Sequence, residues 1–108
     1  MDDSQLLKGV LDLAVLSVLD DHDSYGYEIV TRLREAGHER VGEASVYGTL
    51  RRLHNDEHVS SYLEPSDSGP HRKYYTLTKE GQRRLRDDVK TWERFVETMT
   101  FLLHQEQK

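Results

Sequence analysis

The 108-residue chain predicts a mainly α (α+β) fold: a winged helix-turn-helix of three helices and a two-stranded β-wing, then one long C-terminal helix. Three observations carry this. Ser24-Tyr25-Gly26-Tyr27-Glu28-Ile29 opens a short helix after an acidic turn. Leu50-Arg51-Arg52-Leu53 closes a later helix on paired arginines. Arg72-Lys73-Tyr74-Tyr75-Thr76-Leu77-Thr78 reads as a basic strand running into the N-cap of another helix. Helix, helix, basic hairpin, helix is the order in which a winged helix-turn-helix is built.

The first helix spans Ser4 to Leu19. Leu7, Val10, Leu11, Ala14, Val15 and Val18 recur at helical spacing, and Leu6, Leu13, Leu16 and Leu19 widen the apolar face beyond an ordinary stripe. A helix apolar on most sides needs cover on most sides, and in so short a chain a second subunit is the natural cover. Asp20-Asp21-His22-Asp23 forms a turn, from which Asp23 or Ser24 caps the second helix. Ile29, Leu33 and Ala36 make that helix's inner face and Gly37 stops it; Gly26 leaves room for a neighbouring helix to come close.

The third helix runs from Glu43 to about Glu57, with Gly42 in the N-cap position. Val46, Leu50 and Leu53 point inward, leaving Ala44, Ser45, Tyr47, Gly48, Arg51 and Asn55 outside. Val59 to Glu64 and Arg72 to Leu77 flank the turn-rich Pro65-Ser66-Asp67-Ser68-Gly69-Pro70, which predicts a hairpin. Thr78 caps the last helix. There Leu85, Val89, Trp92, Val96, Met99 and Leu103 are spaced 4, 3, 4, 3, 4, a heptad seam that fits a second copy of the chain. The division expected is a winged helix-turn-helix over 1–77 and a dimerisation helix over 78–108, together one compact unit. Leu6, Leu7 and Val10 join the seam residues as the expected dimer interface.

Composition narrows the function. Cysteine is absent, so neither disulfides nor thiolate metal sites arise, and no apolar run is long enough for a membrane span. A cytoplasmic location is expected, with no membrane partner. No nucleophile–base pair, phosphate loop or paired carboxylates suggest an enzyme. His54 and His58 stand four apart without a third ligand, so neither metal nor cofactor is expected. The formal net charge is −5, and residues 1–77 hold 8 Lys/Arg against 14 Asp/Glu. DNA affinity rests on cations meeting phosphates, so a DNA-binding face has to be a local basic patch on an acidic body. The alternative is a winged-helix protein-interaction module whose acidic body meets a basic partner.

The patch is legible. A helix enters the major groove by its N-terminal residues. Here Ser45 and Gly48 permit close approach, Tyr47 can donate to a phosphate, and Arg51 and Arg52 follow. His71, Arg72 and Lys73 occupy the hairpin as a wing.

With those pieces in view, the chain resembles the PadR family of transcriptional regulators. The resemblance rests on Leu6-Leu7-Lys8-Gly9-Val10-Leu11-Asp12-Leu13, Ser24-Tyr25-Gly26-Tyr27-Glu28-Ile29, Ser45-Val46-Tyr47-Gly48-Thr49-Leu50-Arg51-Arg52-Leu53 and Ser68-Gly69-Pro70-His71-Arg72-Lys73-Tyr74-Tyr75-Thr76-Leu77-Thr78-Lys79-Glu80-Gly81. It implies a homodimeric repressor on a pseudo-palindromic double-stranded DNA operator, like the family's shorter members. It implies Tyr47 on a phosphate, the Ser45-to-Arg52 helix in the major groove, and Arg72 and Lys73 on the backbone. It also implies a small aromatic effector at the dimer interface, for which Trp92, Val96 and Met99 are the candidates. Gly42 and Glu43 depart from the family's usual serine or threonine cap.

Overall fold

The computed structural model describes residues 1–66 and 69–105. Asp67 and Ser68 of the expected turn, and residues 106–108 of the expected dimerisation segment, lie outside the described residues. The elements follow in the order α1 (Asp3–Asp21), β1 (Ser24–Tyr25), α2 (Gly26–Glu35), α3 (Glu43–Asn55), β2 (Val59–Ser66), β3 (Gly69–Leu77) and α4 (Lys79–Leu103).

Helix α1 is the centre of the molecule. Asp2 caps it by accepting from the Ser4 amide, and Val15 and Leu16 are fully buried at its middle. It is kinked at Val10, whose φ of −129° leaves the helical range. The kink falls beside Gly9, where glycine and a β-branched residue adjoin and helix propensity is low. Ile29, Val30 and Leu33 of α2 and Val46, Leu50 and Leu53 of α3 pack with α1 as one core, joined by Val41, Val59 and Leu85.

The acidic turn differs from expectation. Helix α1 continues to Asp21, and Ser24-Tyr25 pairs antiparallel with Tyr75-Tyr74, so the hairpin belongs to a three-stranded sheet ordered β1-β3-β2. Neither Asp23 nor Ser24 caps α2; Tyr25 holds the cap position without a side-chain bond. The reason is Arg32. Its guanidinium donates to the buried Ser24 hydroxyl at 2.8 Å and to Asp21 at 2.8 Å, fixing the serine in the sheet. Ala36 is also not an inner-face residue: it is the exposed C-cap of α2, and Val30 fills the core in its place.

Helices α2 and α3 end alike. After α2, the His38 amide reaches the Leu33 carbonyl and the Gly37 amide the Arg34 carbonyl, with Gly37 at φ +126°. After α3, His58 reaches Leu53 and Glu57 reaches His54, with Glu57 at φ +64°. Both are Schellman closures, which need a left-handed residue. Thr78 then starts α4, its hydroxyl accepting from the Gly81 amide at 3.0 Å and donating to the Glu57 carbonyl at 2.7 Å. A helix of 25 residues is about 37 Å long. Leu85 and Val89 meet the core, and the remainder projects from a molecule of 64 × 28 × 20 Å. Among the described residues no helix is long and apolar enough to cross a membrane.

Candidate nucleic-acid interface

Helix α3 separates cleanly into two sides. Val46, Leu50 and Leu53 are wholly buried and Thr49 nearly so, whereas Ala44, Ser45, Tyr47 and Arg51 are exposed and Gly48 is partly so. Gly42 occupies the N-cap without a side-chain bond, leaving first-turn amides open beside Glu43. The Tyr47 ring lies on Gly26. A Cβ at Gly26 would stand 2.3 Å from Tyr47 Cε1, so only glycine admits the ring in this position.

The sheet adds two faces, because side chains alternate along β3. On the inner face Tyr75 and Leu77 pack against the core, and Lys73 places its ammonium 6.0 Å from the Tyr75 ring centre. Tyr75 is also the neighbour of α3. Burial, then the Tyr47 phenol, push its pKa up, while the Arg51 guanidinium pulls it down. Tyr47 and Arg51 of α3 thus act electrostatically on the same half-buried tyrosine that Lys73 of the wing approaches. His71 shares the strand face of Lys73 and is exposed.

Arg72 lies on the other face. Its guanidinium sits 4.5 Å over the Tyr25 ring, which meets Tyr74 edge-on at 5.4 Å; Tyr74 stacks on Tyr62 at 5.8 Å. The Tyr62 hydroxyl donates to Asp23 at 2.6 Å, and this bond is the first cause of a pKa raised to about 12. The two wing cations, adjacent in sequence, thus serve opposite sides of the strand.

Arg52 is drawn away from Arg51. It donates to Asp12 Oδ1 of α1 at 2.5 Å, and Arg84 of α4 donates to Asp12 Oδ2 at 3.0 Å. Asp12 and Arg84 were not visible as site residues in the sequence. They stand 40 and 32 positions from Arg52, and no periodicity relates them.

The remaining candidates lie on α1 and α4. Trp92, Val96, Met99 and Leu103 are exposed along one side of α4, with Phe95 stacked at 6.2 Å on Trp92, and Leu6 is exposed on α1. Val10 and Val89 are half-buried, whereas Leu7 and Leu85 are buried within the chain itself, at 6% and 8% exposure. Those two contribute to the monomer core first.

The profile of the Transcriptional regulator PadR-like family matches residues 15–87. An uncharacterized protein of Lysinibacillus sphaericus is 33% identical over 91 residues, covering 82% of this chain and 84% of that protein. A PadR-like transcriptional regulator of Bacillus cereus has a similar structure, with a TM-score of 0.85 at 35% identity over 94% of this chain and 99% of that one. Bacillus subtilis PadR, solved in complex with operator DNA, is 24% identical with a TM-score of 0.68 over 74% of this chain and 46% of that one. At that identity it bears on the fold alone.

Proposed function

The chain belongs to the PadR-like family of transcriptional regulators, and from that premise we propose a homodimeric, sequence-specific DNA-binding repressor acting at a pseudo-palindromic operator. The observation that carries the proposal is the division of α3, whose inner side is sealed into the core while Ser45, Tyr47 and Arg51 stand exposed on its outer side. In this reading α3 enters the major groove, Ser45 and Gly48 allow close approach, Tyr47 donates to a phosphate, and Arg51 reads a base edge or a second phosphate. Lys73 and His71 meet the backbone from the helix side of the wing, and Arg72 from the far side. Arg52 turns away from Arg51 toward Asp12, so in this reading it is not itself a DNA contact. Two-fold symmetry would set the palindromy and half-site spacing.

The exposed stripe of α4 supports the dimer, and Trp92 with Val96 and Met99 supplies a surface for a flat aromatic effector. Face stacking or cation–π attraction there would contribute about 0.5–2 kcal/mol. Trp92 is the single tryptophan, so quenching of its emission by a planar aromatic cation is the expected result, with calorimetry showing that Trp92→Leu no longer binds the cation.

The test of the whole reading is fluorescence anisotropy of the protein with DNA from directly upstream of its coding sequence, beside a scrambled duplex and a duplex selected from a random pool. Tight binding to the native or selected duplex that weakens as salt rises is expected. Equal weak binding to all three, with recovery of a basic protein partner, would replace it by the interaction-module reading that the acidic body suggests.

A further inference from the structure

The carboxylate of Asp12 touches two helices at once, and those are the two that the proposed function needs to coordinate. One oxygen accepts from Arg52 in the last turn of α3, the other from Arg84 in the second turn of α4. Helices α3 and α4 both pack against α1, and Asp12 stands on α1 between them. Arg52 is 61% exposed, but the Asp12–Arg84 half of the contact is sheltered, with side chains 25% and 29% exposed. Screening is weaker there than for a fully exposed pair, and charge-assisted bonds of this kind hold geometry well. Arg84 is further fixed by Asp88 at 3.2 Å, and its third nitrogen lies 3.5 Å from His58 Nδ1. Two guanidinium nitrogens are thereby bonded to carboxylates of the protein, and the third lies beside the His58 ring.

We propose that Asp12, with Arg52 and Arg84, is a positioning group that fixes the angle of the recognition helix against the C-terminal helix, so that a change at α4 alters DNA affinity through this carboxylate. The proposal rests on the DNA-binding reading of α3. Arg52, which its sequence position beside Arg51 would make a DNA contact, is on this view a link and not a contact. The consequence is functional because α4 carries the apolar stripe that joins two copies. The α3–α4 angle then sets the separation of two recognition helices, and an operator of fixed half-site spacing reads that separation. An effector on α4 would be felt at α3 only to the extent that such a two-ended element responds to it.

The full-length protein provides the test. Anisotropy titrations would use a duplex selected by the protein from a random pool, at several salt concentrations, for wild type, Arg51→Ala, Arg52→Gln, Arg84→Gln, Asp12→Asn and Asp12→Asn/Arg84→Gln. Concentrations are chosen so that sedimentation gives every variant the wild-type mass. Arg84→Gln, although its side chain faces the protein, is expected to weaken binding roughly 3- to 10-fold. The slope of log affinity against log salt stays unchanged for Arg84→Gln and Arg52→Gln, because no counterion-releasing contact is lost. The double variant is expected to bind no more weakly than Asp12→Asn alone. Wild-type affinity in Arg84→Gln, additive losses in the double variant, or a slope reduced by about 0.9 in Arg52→Gln would each overturn the proposal. Arg51→Ala separates the two failures. If it binds like wild type, the DNA face itself is misassigned and the link falls with it; if it weakens binding while Arg84→Gln does not, only the link is wrong.

Discussion

At Gly26 the backbone of one helix becomes the floor for a side chain of another. The Tyr47 ring rests where any Cβ would intrude, so Gly26→Ala forces the ring to swing out while α2 keeps its helical start. If Tyr47 donates to a phosphate, its loss costs a charge-assisted hydrogen bond, roughly a 10-fold drop in affinity. Gly26→Ala is expected to cost about as much, and nothing further when introduced into Tyr47→Ala. A double-mutant cycle by anisotropy checks this, and additive losses would show that Gly26 acts elsewhere. Tyr62 offers a second residue-scale prediction. Its phenol donates to Asp23, holding the folded pKa at about 12 against an ordinary 10. A raised folded pKa means the bond stabilises the fold fully below pH 10 and is lost as pH climbs through 12. Phenolate absorbance should show Tyr62 titrating late, alongside the half-buried Tyr75, with Tyr62→Phe removing only the former's step, and the variant's stability should fall below wild type near neutrality but converge on it above pH 12. The outward placing of Ser45, Tyr47 and Arg51 on α3 was legible because Val46, Leu50 and Leu53 recur at the spacing of one buried side. The pairing of Arg52 with Asp12 was not, since it joins elements 40 residues apart.

Two helix ends with the same bonding pattern are filled by different residues. Gly37 occupies the left-handed position after α2 without steric cost, whereas Glu57 at φ +64° bears the Cβ penalty after α3. Glu57→Gly is therefore expected to stabilise the protein by about 1 kcal/mol, raising Tm by roughly 4 °C at fixed protein concentration. Thermal unfolding decides it; an unchanged or lower Tm would mean that the glutamate side chain offsets its own strain. The Thr78 bond survives the change because it uses the Glu57 carbonyl. The same scale explains what the sequence concealed. Helices of ten residues or more announce themselves by apolar spacing, and Thr78 and Gly42 stood where caps belong. A two-residue strand has no period to read. Ser24-Tyr25 became β1 through Arg32, 8 residues from Ser24, and through pairing with Tyr75 and Tyr74 of β3, 51 and 49 residues away.

Across the whole molecule two quantities oppose each other. The chain is acidic, at −5, so non-specific attraction to DNA is weak, and one α3 with one wing offers few phosphate contacts. Two copies on one DNA would answer this, since tethering the second recognition helix raises its effective concentration and can multiply affinity by roughly 10²–10⁴. The stripe that would join them was legible as a heptad spacing, because its period belongs to one continuous helix. The chain's own claim on Leu7 and Leu85 was not, because that depends on how α1 and α4 cross. Val96 lies in the middle of the stripe, flanked by Trp92 and Met99 one turn away on either side. Phe101 is more exposed still, at 65%, yet nine residues past Trp92 puts it on the opposite side of α4. Val96→Asp would bury a carboxylate between apolar helices, whereas Phe101→Asp would place one in water. Sedimentation should show Val96→Asp at half the wild-type mass and its operator affinity down by about 100-fold, with Phe101→Asp unchanged in both. Should Phe101→Asp alone dissociate the protein, the copies meet through the other side of α4, and Trp92 would face solvent with no partner ring across from it.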